Sequence, residues 1–231
     1  MDIALSHDHL GQFRSYFHEL TQWNERINLT SLVSATDIYH KHFLDSLTVM
    51  QALRTDQAWP EDGPGTLLDV GSGAGFPGLP LAIIATHLQV TLLEATRKKA
   101  QFMEHLIRVL GLANAVVVTG RAEELAHVSM HREQYLWVVG RALARMATLA
   151  EYLLPFCRVG GAVIAMKQGA ISEEMGLAEG AVRTLGGELS AVLPVGNDLV
   201  SAERCLIMLR KTATTPNIYP RRPGVPAKRP L

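Results

Sequence analysis

The chain has 231 residues, 48% of them hydrophobic and 19% charged, which suits one substantial apolar core and excludes a disordered chain. Basic and acidic residues balance at 22 each, yet the stretch from Arg210 to Leu231 holds six basic residues and no acidic one. The remainder is therefore net acidic, and a basic tail on an acidic body points to a polyanionic partner.

The first sixty residues read as helix. Leu10, Phe13, Phe17, Leu20 and Trp23 recur at three- and four-residue spacing and form one apolar stripe. A second such segment runs from about Thr36 to Leu53, with Ile38, Phe43, Leu44, Leu47 and Met50 apolar. A cluster of prolines and glycines from Trp59 to Gly65 then breaks the pattern. From Thr66 short apolar runs alternate with helical stretches. Strands are expected at 66–70, 90–95, 115–120, 136–140 and 162–167, and helices at 78–87, 97–111, 121–127, 146–157 and 171–186. That alternation predicts a parallel sheet with helices on both faces and right-handed crossovers. No helix separates the last two strands, 187–194 and 204–210, so they should form an antiparallel hairpin at the sheet edge. The final eighteen residues hold five prolines, which predicts an extended tail of polyproline character, neither helix nor central strand. The expected organisation is a helical cap over 1–60, an α/β domain over 64–211 and a basic, proline-rich tail over 212–231.

The longest apolar run, Leu79 to Leu93, is interrupted by Pro80, His87 and Gln89 and argues against a membrane span. The N-terminus lacks the basic and apolar regions of a secretory signal. Cys157 and Cys205 each lie inside an apolar run, as reduced core thiols do, so a cytoplasmic location is expected.

The strongest motif is LLDVGSGAGFPGLPLAI, residues 67–83. A strand ends at Asp69 and Val70, and Gly71, Gly73, Gly75 and Gly78 follow before a helix begins. Glycine allows the sharp turn and lets a ligand lie against the backbone. Glu94 falls at the end of the second strand, where an acid can accept the hydroxyls of a ribose. Loop and acid together describe an adenosine-containing ligand. The residues alone leave NAD and S-adenosylmethionine open. Gly73, Gly75 and Gly78 fit a dinucleotide spacing. The turn, however, starts at Gly71 directly after an acid, which suits a sulfonium.

Beyond the loop, WNERINLTS (23–31), HFLDSL (42–47), RKKAQFMEHL (97–106), GRAEELA (120–126), GRAL (140–143) and YPRRPGVPAKRPL (219–231) occur in order along the chain. With GSGAGFPGLPLAI they make the sequence resemble the bacterial 16S ribosomal RNA guanine-N7 methyltransferases of the glucose-inhibited-division B type. The resemblance implies a class I, Rossmann-like methyltransferase fold with a mostly parallel seven-stranded sheet and an N-terminal helical cap. It implies S-adenosylmethionine as cofactor, and a guanine in the decoding-region loop of 16S rRNA as acceptor, on RNA or an assembling small subunit. It implies that Gly71 and Phe76 contact the cofactor, that Ala122 and Glu123 frame its adenine, and that Arg141 lies beside cofactor and substrate. Two departures are visible: Trp137 stands at the start of the fourth strand, where the family usually has an aspartate, and Val139 and Gly140 precede Arg141 where a hydroxyl residue is common.

Guanine N7 carries a lone pair and no proton. Methyl transfer to it needs alignment rather than a base or a nucleophile, and the sequence offers no clear nucleophilic dyad. Arg141 and Lys167 follow strands at the ligand edge and are the candidate catalytic cations, able to hold RNA phosphate or the cofactor carboxylate. Arg121, Arg221, Arg222, Lys228 and Arg229 are candidate RNA contacts. His40, His42 and Asp45 could suggest a metal site, but His42 and Asp45 better fit a brace between cap and glycine loop, and no metal is expected. An NAD-dependent oxidoreductase and a non-catalytic RNA-binding assembly factor are the competing functions. A monomer is expected.

Overall fold

The computed structural model describes residues 3–56, 65–141, 144–169 and 171–231. The breaker cluster expected from Trp59 to Gly65 lies outside the described residues apart from Gly65, and so do Ala142 and Leu143 of the GRAL block. Helix α1 (His7–Ile27) starts at a capping box in which Ser6 Oγ accepts from the His9 N–H and the His9 ring accepts from the Ser6 N–H. The second helical segment is broken into α2 (Ala35–Ile38), a π turn (Tyr39–Leu44), α3 (Asp45–Leu47) and α4 (Val49–Thr55). The π turn falls where the cap meets the glycine loop, and such turns concentrate at functional sites.

The seven expected strands are all present. They are β1 (Gly65–Val70), β2 (Leu88–Glu94), β3 (Ala115–Thr119), β4 (Tyr135–Arg141), β5 (Cys157–Gln168), β6 (Gly187–Pro194) and β7 (Arg204–Lys211). Their order is β3-β2-β1-β4-β5-β7-β6, parallel except for β7, which is antiparallel to both of its neighbours. Helices α5 (Gly78–Ile84) and α6 (Arg97–Leu110) cover one face with the cap. Helices α7 (Ala122–Leu125), α8 (Met146–Leu153) and α9 (Ile171–Thr184) cover the other. Strand alternation divides the core accordingly: Leu67, Leu92 and Trp137 face the cap side, and Leu68, Leu93 and Val138 the other.

Two expectations need correction. The helix expected over 146–157 stops earlier. Pro155 sits in a 3-10 turn (Leu154–Phe156), and Cys157 already belongs to β5. The tail is not a free extended strip. It folds back on α7 and α8 and closes with the helical turn α10 (Val225–Lys228), in which Pro226 sits in the first turn, where its missing N–H costs nothing. Among the contacts that pin it are His127 Nε2 to Pro220 O (2.8 Å), Arg132 to Tyr219 O (2.9 Å) and Thr148 Oγ1 to Pro226 O (3.0 Å). Buried apolar contact outweighed the polyproline preference, since Pro226 is buried.

Candidate active site

The glycine loop leaves β1 with Gly71, Gly73 and Gly75 all at positive φ (70°, 60° and 95°), a conformation that only glycine adopts without strain. Gly78 is required for a different reason. A Cβ there would lie 2.3 Å from Leu92 and 2.9 Å from the Asp69 carboxylate. That close approach lets Asp69 Oδ2 accept the Gly78 N–H at the start of α5 (2.8 Å). Asp69 is wholly buried, and its Oδ1 is the one buried side-chain polar atom among the described residues with no partner. Burial pushes its carboxyl up to about 7, against the pull of the Gly78 N–H and of Arg141.

Glu94 closes the loop from β2. Its Oε2 accepts the Gly73 N–H (2.9 Å) and its Oε1 the Thr96 N–H (2.7 Å). Each carboxylate oxygen has two lone pairs, so the group retains capacity for two hydroxyls.

The cap supplies the other wall. Tyr16 donates to Ala74 O (2.6 Å) and stacks on Phe76 at 5.1 Å, and His42 stacks on Phe76 at 4.4 Å. Phe76 is thus buried among the cap side chains. Arg141, at the end of β4, lies 5.2 Å over the same ring. It donates to Lys41 O (3.2 Å), Asp45 Oδ2 (3.3 Å) and His42 Nδ1 (3.3 Å). Arginine can only donate, so His42 Nδ1 accepts and Nε2–H points at Thr30 Oγ1 (2.8 Å). Burial, with Arg141 beside it, pulls the His42 imidazole down to about 4, which fixes it neutral. Asp45, almost fully buried, also takes a bidentate pair from Arg204 (2.6 and 2.8 Å). His42 and Asp45 therefore brace the cap against loop and sheet, as their spacing suggested.

The other sequence candidates divide. Lys167 stands at the right edge, but its Nζ is held by Glu174 (2.7 Å) and Ala144 O (3.1 Å), and Glu174 also takes the Met146 N–H. It ties α9 to the start of α8 and does not join Arg141. Ala122 and Glu123 open α7 beside the end of β3, and Glu123 Oε1 accepts the Gly224 N–H (3.0 Å). Arg121 is exposed. Arg222, Lys228 and Arg229 are exposed together on the folded tail, whereas Arg221 pairs with Glu151 (2.6 Å). Trp23 packs on Phe102 and His105 in the core. Cys157 is buried and its thiol is pushed up to about 12, so it supplies no thiolate. The sequence reading missed Tyr16 and Arg204. Arg204 had a usable signal, because the first residue of an antiparallel strand lies at the same edge as the last residues of its parallel neighbours.

One concavity at this edge is lined by the cap and the start of β7 and not by the glycine loop. Asp37, His40, Lys41, Gln168, Val200 and Arg204 line a cavity of about 370 Å³ that reaches Asp45. A larger one of about 710 Å³ lies between α9 and the start of β6, at the opposite end of the strands, with no glycine loop beside it.

Strand order, reversed β7 and a glycine loop after β1 define the class I, Rossmann-like methyltransferase fold. Solved structures agree on the fold. A SAM-dependent methyltransferase from Aquifex aeolicus superposes with a TM-score of 0.55 at 14% identity, covering 79% of this chain and 96% of that one. MtNAS, crystallised in complex with S-adenosylmethionine, gives 0.58 at 12% identity over 89% and 72% of the two chains. Sequence comparison is more specific. The family GidB, rRNA small subunit methyltransferase G, matches residues 9–201. A ribosomal RNA small subunit methyltransferase G from Dehalococcoides mccartyi is 47% identical over all of this chain and 95% of its own length. Its counterpart from Halalkalibacterium halodurans is 40% identical over 99% and 94%. The chain belongs to this family of small-subunit rRNA methyltransferases.

Proposed function

We propose that the protein transfers the methyl group of S-adenosylmethionine to N7 of a guanine in 16S rRNA, nucleotide 527 in the usual rRNA numbering. The observation that carries the cofactor is Asp69. In dinucleotide folds the helix after the glycine loop offers its N–H groups to a pyrophosphate. Here a buried carboxylate already takes the Gly78 N–H, and the Gly75 and Phe76 N–H groups both donate to Ser72 O. A second anion would be repelled, whereas a cationic ligand would relieve the partnerless Oδ1. The antiparallel β7 also speaks against an NAD enzyme.

Bound S-adenosylmethionine supplies an activated methyl group on a sulfonium. The backbone of Gly71, Gly73, Gly75 and Phe76 forms its bed, Glu94 takes the ribose hydroxyls, and Ala122 and Glu123 flank the adenine. Arg141 faces cofactor and guanine from the end of β4. An N7 acceptor would need alignment against that methyl group rather than a base, and the cap, the glycine loop and Arg141 would supply the alignment. No proton moves, which agrees with a site whose histidine is neutral with both ring nitrogens engaged. Lys167 is withdrawn from the catalytic set because Glu174 holds it, and Arg221 from the free RNA contacts because Glu151 holds it. Arg121, Arg222, Lys228 and Arg229 remain as phosphate contacts. The expected partner is 16S rRNA or an assembling small subunit in the cytoplasm, with the enzyme a monomer. Among the described residues no helix is long and apolar enough to cross a membrane.

Calorimetry with S-adenosylhomocysteine, with NADH as control, tests the cofactor. Mapping 7-methylguanine in 16S rRNA after incubation with enzyme tests the acceptor. Micromolar binding of S-adenosylhomocysteine alone is expected; binding of NADH alone would overturn the reading.

A further inference from the structure

Glu123 opens α7 at the ligand edge of the sheet, yet its carboxylate is held by an N–H from the tail, that of Gly224 (3.0 Å). The segment that delivers this N–H runs across α7 and α8. Arg221 grips Glu151 with its backbone N–H (2.8 Å), Nε (2.9 Å) and a terminal NH2 (2.6 Å). Glu151 is wholly buried on α8, and this grip engages both of its carboxylate oxygens. His127 at the end of α7 and Thr148 on α8 bind the carbonyls of Pro220 and Pro226 on either side. The exposed side of the same segment carries Arg222, Lys228 and Arg229. With Arg221, Ile218 and Val225 they line a concavity of about 560 Å³ that contains four cations and no acid.

We infer that residues 220–226 form a positioning strap, in which Arg221, through Glu151, sets the Gly224 N–H against Glu123 and so couples an anion-binding face to the adenine side of the cofactor pocket. The inference rests on the S-adenosylmethionine reading of that pocket. Arg221 touches neither cofactor nor reacting atoms and acts only through the strap. A phosphate backbone seated on Arg222, Lys228 and Arg229 stiffens the strap, and a stiff strap holds the first turn of α7 in its binding geometry. By linkage the cofactor then tightens RNA binding by the factor with which RNA tightens the cofactor.

Hydrogen exchange of the amides of residues 122–126 in ligand-free protein tests the mechanical link, and calorimetry with S-adenosylhomocysteine tests its consequence. Arg221→Ala should speed that exchange and weaken S-adenosylhomocysteine about tenfold. The combined Arg222→Ala, Lys228→Ala and Arg229→Ala variant should leave both unchanged in the absence of RNA. It should weaken 16S rRNA binding and flatten its salt dependence. Unchanged exchange at 122–126 in folded Arg221→Ala protein overturns the strap. Faster exchange in the variant, beside a wild type that binds no S-adenosylhomocysteine, keeps the strap and removes the cofactor reading. If Arg221→Ala does not fold, Arg221→Lys, which keeps the charge but loses the forked donors, is judged by the same two measurements.

Discussion

Two buried aspartates tie the helical cap to the sheet, one at each end of the strands. At the ligand edge Asp45 holds Arg204 of β7 and Arg141 of β4. At the opposite edge Asp56 accepts from Arg210 of β7 and from the indole N–H of Trp137 in β4 (2.7 and 2.8 Å). The parts match: a carboxylate from the cap, an arginine from β7 and a donor from β4. Their surroundings differ. Around Asp45 lie a π turn, a neutral histidine, a loop of glycines at positive φ and the partnerless oxygen of Asp69. Around Asp56 the Trp137 ring fills the space that a side chain on Gly65 would need, with its nearest atom 2.4 Å from where a Cβ would stand. A buried ion pair is therefore no mark of a site by itself. A backbone that only glycine can follow and one unmet buried oxygen are what distinguish the ligand edge.

The sharpest way to break this comparison is Arg141→Ala. Asp45 keeps Arg204 in the variant, so the cap should stay docked and the far-ultraviolet spectrum should not change. Methyl transfer should fall by about a hundredfold, the scale of misplacing the reactants when a proposed positioning group is lost. Transfer of labelled methyl to 16S rRNA measures it. Turnover within tenfold of wild type would place Arg141 with Arg210, as a staple only.

A second test concerns Asp69. Its folded carboxyl sits at about 7, above the ordinary 3.8. The folded protein therefore binds the extra proton between those values. The stabilisation is complete below pH 3.8 and is lost as pH rises through 7. A cation bound beside Asp69 favours the ionised form and releases that proton. S-adenosylhomocysteine, through its ammonium group, should then bind about tenfold more tightly at pH 8 than at pH 6. Arg141 and Glu94 face Asp69, and His42 at about 4 does not titrate in this window. Asp69→Asn keeps an acceptor for Gly78 and should flatten the profile. A slope that persists in that variant would assign it to another group.

How much of this was legible in the sequence follows from range. The strands, the glycine loop and Glu94 are written in local pattern and short spacing, and the sequence reading places them within a few residues. Arg204 lies 159 residues from Asp45, and Arg210 lies 154 from Asp56. No local period links them. The tail shows the same limit from the other side. Its prolines predict an extended chain, because nothing nearby in sequence announces that Glu151, 70 residues earlier, is a buried carboxylate waiting for Arg221.

The smallest effect on the site is expected from Trp137→Phe, and it isolates the lower staple. Trp137 lies opposite Leu67 in the β1–β4 ladder, three residues before the Val70–Gly140 pair at the ligand edge. Trp137 therefore belongs to the floor of the sheet, away from the proposed cofactor bed. Phenylalanine fills most of the same space but removes the N–H that Asp56 accepts, at a cost of about 1–3 kcal/mol in stability. Chemical denaturation should show that loss, while the affinity for S-adenosylhomocysteine and the rate of methyl transfer stay within twofold at a temperature where both proteins are folded. A tenfold loss of affinity with little loss of stability would mean that the two ends of the strands are coupled through β4, and that the lower staple is part of the site after all.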